Sequence, residues 1–154
     1  MIAGPGPGAQ ESVPCPGDEG SAMVLVGVRF ELFVDDVGRS VAFYAAALGL
    51  QPPPGYDSQR YVPVSAGRVR IGLQHRGALP ADHHFRPAHF AGPRGVGVEI
   101  VIELDDVDAA FARARDAAPA HGGQVEPLAV RPWGQTDFRL IDPDGYYVRV
   151  TSAG

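Results

Sequence analysis

Two hydrophobic rhythms alternate along this chain, and then the whole arrangement repeats. Within residues 23–34, Val28, Phe30, Leu32 and Val34 alternate with Arg29, Glu31 and Phe33, the period-two pattern of a strand with two unlike faces. Asp35-Asp36 follow, after which Val37, Val41, Tyr44, Ala45 and Leu48 share one face of a helix that ends at Gly49. Short strand-like runs near 59–66 and 68–75 are separated by Ala66-Gly67. The stretch 77–94, punctuated by Pro80, Pro87 and Pro93, reads as a linker.

Beyond the linker the rhythm returns. Val98, Ile100, Ile102 and Leu104 alternate with Glu99, Val101 and Glu103, and Asp105-Asp106 open a helix carrying Val107, Ala110, Phe111, Ala114 and Ala117 on one face. Gly122-Gly123 close that unit, and strands are expected near 124–130, 135–141 and 145–151. Val34-Asp35-Asp36-Val37 recurs as Leu104-Asp105-Asp106-Val107 at the same strand-to-helix junction, so the chain reads as an internal repeat. The predicted class is α+β, with two βαβββ modules at 23–76 and 95–152. Residues 1–22, rich in Gly and Pro and poor in large apolar side chains, are expected to be a disordered tail. Met23 directly precedes the first strand run, which leaves open whether that tail belongs to the native protein.

Composition narrows the chemistry. All 13 basic residues of the 154 are arginine; lysine and asparagine are absent, and 18 acidic residues bring the formal charge to −5. Lysine Schiff bases and P-loops are thereby excluded, and an acidic chain is a poor partner for nucleic acid. Cys15 alone permits no intramolecular disulfide or multi-cysteine zinc site. The longest apolar run, Met23–Val28, is too short to cross a bilayer, and no leader pattern is seen, so no membrane partner and a cytoplasmic location are expected.

Phe33 through Tyr44 with Leu48-Gly49-Leu50, and then Pro132-Trp133-Gly134-Gln135, Phe138-Arg139 and Asp142-Pro143-Asp144-Gly145, resemble the vicinal oxygen chelate superfamily. That superfamily includes glyoxalase I, extradiol dioxygenases, fosfomycin-resistance enzymes and bleomycin-binding proteins. The resemblance covers roughly residues 23–152 and is nearest to the bleomycin-resistance-like branch. It implies two modules whose sheets curl around one cavity, with a divalent metal there in the enzymes. The implied ligand positions lie on the first strand of each module and the last strand of the second. Counted from the motifs they are Arg29, Glu99 and Arg149. Arginine offers no lone pair to a dication, so only Glu99 survives as a ligand.

Strand alternation supplies a different reading of those positions. If Val28, Phe30, Leu32, Val98, Ile100 and Ile102 face the helices, then Arg29, Glu31, Glu99, Glu103, Tyr147 and Arg149 face the cavity. Glu99 is then expected to pair with Arg29, Arg149 or both, because unpaired buried charge is costly. Trp133, Tyr61 and Phe138 are candidates to line the pocket, with core packing the competing role for each. His83, His84 and His89 read as surface loop histidines, and the Asp142–Gly145 segment as a turn without chemistry.

The predicted function is small-molecule binding without metal or other cofactor, resembling proteins that sequester an antibiotic or another aromatic natural product. The ligand-binding set is Arg29, Glu31, Tyr61, Glu99, Trp133, Phe138, Tyr147 and Arg149, with no catalytic residue. A homodimer is expected from the resemblance. The competing reading is a lyase, isomerase or dioxygenase whose single divalent metal is held by Glu99 with a loop histidine or Gln74.

Overall fold

The computed structural model describes residues 26–153. Thus the expected tail, Cys15 and the start of the first strand run lie outside the described residues. In order come β1 (Phe30–Val34), α1 (Val37–Leu48), β2 (Val62–Ala66), β3 (Val69–His75), β4 (Glu99–Leu104), α2 (Val107–Ala117), β5 (Gln124–Val125), β6 (Ala129–Val130), β7 (Thr136–Ile141) and β8 (Tyr147–Ser152).

The repeated aspartate doublet has a structural cause. Asp36 and Asp106 are the N-caps, each side chain accepting a hydrogen bond at 2.9 Å from the backbone N–H three residues on, that of Arg39 and of Ala109. Gly49 then stops α1 with φ at 74°, a left-handed geometry that a Cβ disfavours.

The strands divide into two mixed sheets. One has the order β1-β3-β2; the other runs β4-β8-β7-β5, with β6 also paired to β7. In each, the first strand of its module lies parallel to the last, β1 beside β3 and β4 beside β8. The first module differs from the expected βαβββ pattern. Where a further strand would follow α1 there is only a bridge between Gln51 and Ser65. Pro52-Pro53-Pro54 directly after Gln51 removes three backbone donors, so pairing cannot continue.

A shared core sits between the sheets and the two helices, which pack on one another. Phe43 and Tyr44 are fully buried and meet edge-on at 5.1 Å. Burial of each contributes about 2 kcal/mol. Tyr44 was expected on the apolar face, but Phe43 was not; α1 therefore buries a broader arc than its spacing suggests. Phe138 points toward the helices, fully buried and 5.4 Å from the Phe111 ring. It is a core residue and does not line a pocket.

Candidate functional site

A cleft of about 560 Å³ lies where the two modules and the linker meet. Residues 30–33 of β1 form one side; Val96, Val98 and Ile100 form another. The linker adds His84, Phe85, His89 and Phe90, and Tyr146 and Tyr147 complete the lining beside Arg94. Phe33 is the hub of this aromatic wall. Its ring lies 5.5 Å from both His83 and Phe85 and 6.3 Å from Phe90, each edge-on. A wall of large apolar rings of this kind is the surface on which a flat apolar ligand packs well.

The turn at Asp142–Gly145 holds the cleft's two sides together. Tyr146 sends its hydroxyl to β1, accepting from Phe33 N–H at 3.1 Å and donating to Phe33 C=O at 3.1 Å. Asp144, whose side chain is wholly buried, accepts the Asp35 N–H at 2.8 Å and pairs with Arg94. Arg94 also reaches Asp35 at 2.9 Å, and Asp35 pairs with Arg76. Burial works to raise the Asp35 carboxyl, but hydrogen bonds from Arg76 and Arg94 overcome it and hold the group below its ordinary value. With its guanidinium thus fixed, Arg94 lies 5.7 Å from the centre of the Phe90 ring, a cation–π contact that ties the linker to the joint.

Asp142 anchors the same turn from beneath. Its carboxylate accepts the N–H groups of Asp144 and Tyr146 at 2.9 and 2.8 Å and the Tyr44 hydroxyl at 3.0 Å. Burial nevertheless pushes Asp142 up to about 6, and the neighbouring Asp144 charge adds to that. Burial, then the Asp142 charge, raise Tyr44 well above the usual phenol range.

Of the residues singled out from sequence, Glu31 and Tyr147 line the cleft. Glu31 is held from behind. Arg29 pairs with it at 2.6 Å, and the Tyr61 hydroxyl donates to it at 3.1 Å. Gly72 makes this arrangement fit, because a Cβ there would stand 2.2 Å from a Glu31 oxygen and 2.4 Å from the Tyr61 hydroxyl. Arg29 and Tyr61 therefore position Glu31 and do not line the cleft. Trp133 is 58% exposed in the turn before β7 and lies outside the cleft. Of the loop histidines, His84 and His89 are exposed, as expected, and line the cleft, whereas His83 is half-buried against Phe33.

Glu99 and Arg149 share the open face of the second sheet, 3.6 Å apart. Arg139, not singled out from sequence, approaches Glu99 at 3.9 Å. Arg29 does not join them; it is taken up by Glu31. The expected Glu99–Arg149 pair therefore forms and the Glu99–Arg29 pair does not.

A divalent metal does not fit these residues. The carboxylate that would ligate it faces two guanidiniums, and a dication placed there would meet both positive charges. Gln74 lies on β3 in the other sheet, and His75 and His89 use Nδ1 to accept backbone N–H groups of the linker. Among the described residues, no three His, Cys, Asp or Glu side chains converge as a metal would require.

Comparison with known proteins gives these features a context. The family model described as Glyoxalase/Bleomycin resistance protein/Dioxygenase superfamily matches residues 28–150. No curated protein matches the chain. Among solved structures, the bleomycin-binding protein of bleomycin-producing Streptomyces verticillus, complexed with copper(II)-bleomycin, is 22% identical with a TM-score of 0.59, the match covering 86% of this chain and 99% of that one. TioX from Micromonospora sp. ML1 is 21% identical with a TM-score of 0.63, covering 82% and 97%. A protein of unknown function from Agrobacterium tumefaciens str. C58 is 28% identical with a TM-score of 0.62, covering 86% and 95%.

Proposed function

Because this chain belongs to the glyoxalase/bleomycin resistance protein/dioxygenase superfamily, its fold comes with a choice between catalysis and binding, and we propose binding. The protein captures an aromatic small molecule, an antibiotic or a related natural product, without metal or covalent chemistry. The observation that carries this reading is the aromatic cleft between the modules, with Phe33 at its hub and Glu31 as its held acceptor. A flat apolar body would lie against Phe33, Phe85 and Phe90, and a donor group on it would meet Glu31. Binding energy would come from water released from both surfaces and from one charge-assisted hydrogen bond.

Two further observations support it. Each of the three implied ligand positions falls in an ion pair, Arg29 with Glu31 and Arg149 with Glu99, which favours a site without metal. The fold is shared with a protein whose structure contains copper(II)-bleomycin. The chain is also proposed to be a homodimer. Val26, Val28 and Val101, which lie outside the cleft lining, are 40–94% exposed, apolar surface that a second copy would cover.

The test is calorimetric titration with bleomycin and a panel of flat aromatic natural products, comparing the protein with Phe33→Ala and Phe85→Ala. Saturable binding by at least one compound, weakened about tenfold or more by either substitution, is the expected result. No saturable binding by any compound, or binding indifferent to both substitutions, overturns the reading. Trp133 does not line the cleft, so heat is the more direct signal.

A further inference from the structure

Away from the cleft's aromatic wall, the open face of the second sheet carries an arrangement that its own residues do not complete. Arg139 on β7 and Arg149 on β8 are directly opposed across the antiparallel pair. Like charges opposed in this way destabilise a sheet unless something lies between them. Their side chains are only 21% and 24% exposed, and the Nε of each is buried without a hydrogen-bond partner. Glu99 on β4 stands 3.6 Å from Arg149 Nε and 3.9 Å from Arg139 Nε. It offsets charge but is too distant to accept from either. Glu126 reaches Arg139 from the far side at 3.9 Å.

We propose that Arg139 and Arg149 form an oxyanion site, receiving a carboxylate or phosphate group of a ligand between their guanidinium forks. An oxyanion accepts from Nε–H and a terminal N–H of the same fork, so one group bridging the pair satisfies both orphaned donors and the like-charge repulsion together. Glu99 competes for the same guanidiniums and sets the affinity. Tyr147, two residues before Arg149 on β8, lines the cleft, so an aromatic acid of adequate length engages cleft and anion site at once. The proposal rests on the guanidinium pair and is independent of the aromatic cleft.

The experiment titrates the full chain with benzoate, inorganic phosphate and neutral benzyl alcohol, following Kd by ligand-observed NMR at fixed low salt. Wild-type protein is expected to bind at least one anion saturably. Arg139→Gln and Arg149→Gln each weaken it about tenfold, and Glu99→Gln tightens it several-fold by freeing the forks. Arg149→Lys, which keeps charge and stem but loses the fork, serves if Arg149→Gln does not fold, and is expected to weaken binding about fivefold. Benzoate alone or phosphate alone as the bound anion distinguishes a carboxylic acid from a phosphorylated ligand, and either supports the site. Failure of both anions to bind, or anion affinity unchanged within twofold in the arginine variants and Glu99→Gln, overturns it. Benzyl alcohol bound in a Phe33-dependent manner while the anions fail would leave the cleft reading standing and sink only the oxyanion site.

Discussion

The Tyr146 hydroxyl closes on the Phe33 peptide unit from across 113 residues, accepting from its N–H and donating to its C=O, both at 3.1 Å. One phenol thus satisfies the outward-facing backbone groups at the end of β1 and joins the second module to the first beside the cleft. Tyr146→Phe retains the ring but orphans both groups. A loss of about 1–3 kcal/mol in unfolding free energy is expected by urea denaturation. Weaker cleft binding should accompany it, since Phe33 loses its anchor. Unchanged stability would mean that water replaces the hydroxyl at no cost.

Arg94 is the second member of this joint. Its side chain is 8% exposed and stands between Asp35 and the wholly buried Asp144. Arg94→Gln takes the nearer guanidinium from the buried Asp144 carboxylate, leaving Arg39 at 3.9 Å and the hydrogen bonds from Ser40 and Asp35. The cost is therefore expected toward the lower end of the about 3–5 kcal/mol for breaking a buried pair. Thermal unfolding with and without Asp144→Asn in the same chain measures the coupling. The double substitution should recover part of the loss, whereas simple addition of the two costs would show that the residues act separately.

Asp142 gives the fold a pH dependence of defined sign. Burial lifts its carboxyl from 3.8 unfolded to about 6 folded. The native state therefore holds this proton more tightly, and the resulting stability is fully present below the unfolded value and lost as pH rises through about 6. Asp142→Asn keeps two acceptor contacts and cannot ionise. Between about pH 5 and about pH 8, wild-type protein should lose about 1.5 kcal/mol relative to this variant. A difference that stays constant across that range would contradict the assignment.

Gly72 has a steric prediction. An added Cβ would meet Glu31 Oε2 and the Tyr61 hydroxyl at 2.2 and 2.4 Å, so Gly72→Ala must displace the pair. A cost of about 1–3 kcal/mol is expected, with altered cleft affinity because Glu31 is no longer held. Tyr61→Phe, which removes only the hydrogen bond, should cost less in chemical denaturation. The reverse order would show that Gly72 has more room than its surroundings indicate.

Periodicity made the helices and most strands legible before any coordinates, because helix and strand burial follow local spacing. The same alternation, carried along β7, separates Phe138 and Leu140 from Arg139. Phe138 could therefore have been assigned to the core and Arg139 to the open face with Arg149. The triple proline explains where the first module's pattern breaks. The joint was not legible: Arg94 lies 50 residues from Asp144, and Tyr146 lies 113 from Phe33. Pairings so distant in sequence leave no periodic trace. Nor does a loop reveal that its His84, Phe85, His89 and Phe90 will close over a neighbouring strand, since their placement depends on where Arg94 anchors them.

The central claim is that an aromatic ligand is held in the inter-module cleft without a metal. Its most direct test is calorimetric titration of exhaustively chelated protein with the tightest compound of the aromatic panel, repeated after adding back Fe, Ni, Zn or Mn. Chelated protein should bind with one site per chain, and no metal should change the affinity by more than about twofold. Binding that vanishes on chelation and returns with one of these metals would contradict the claim.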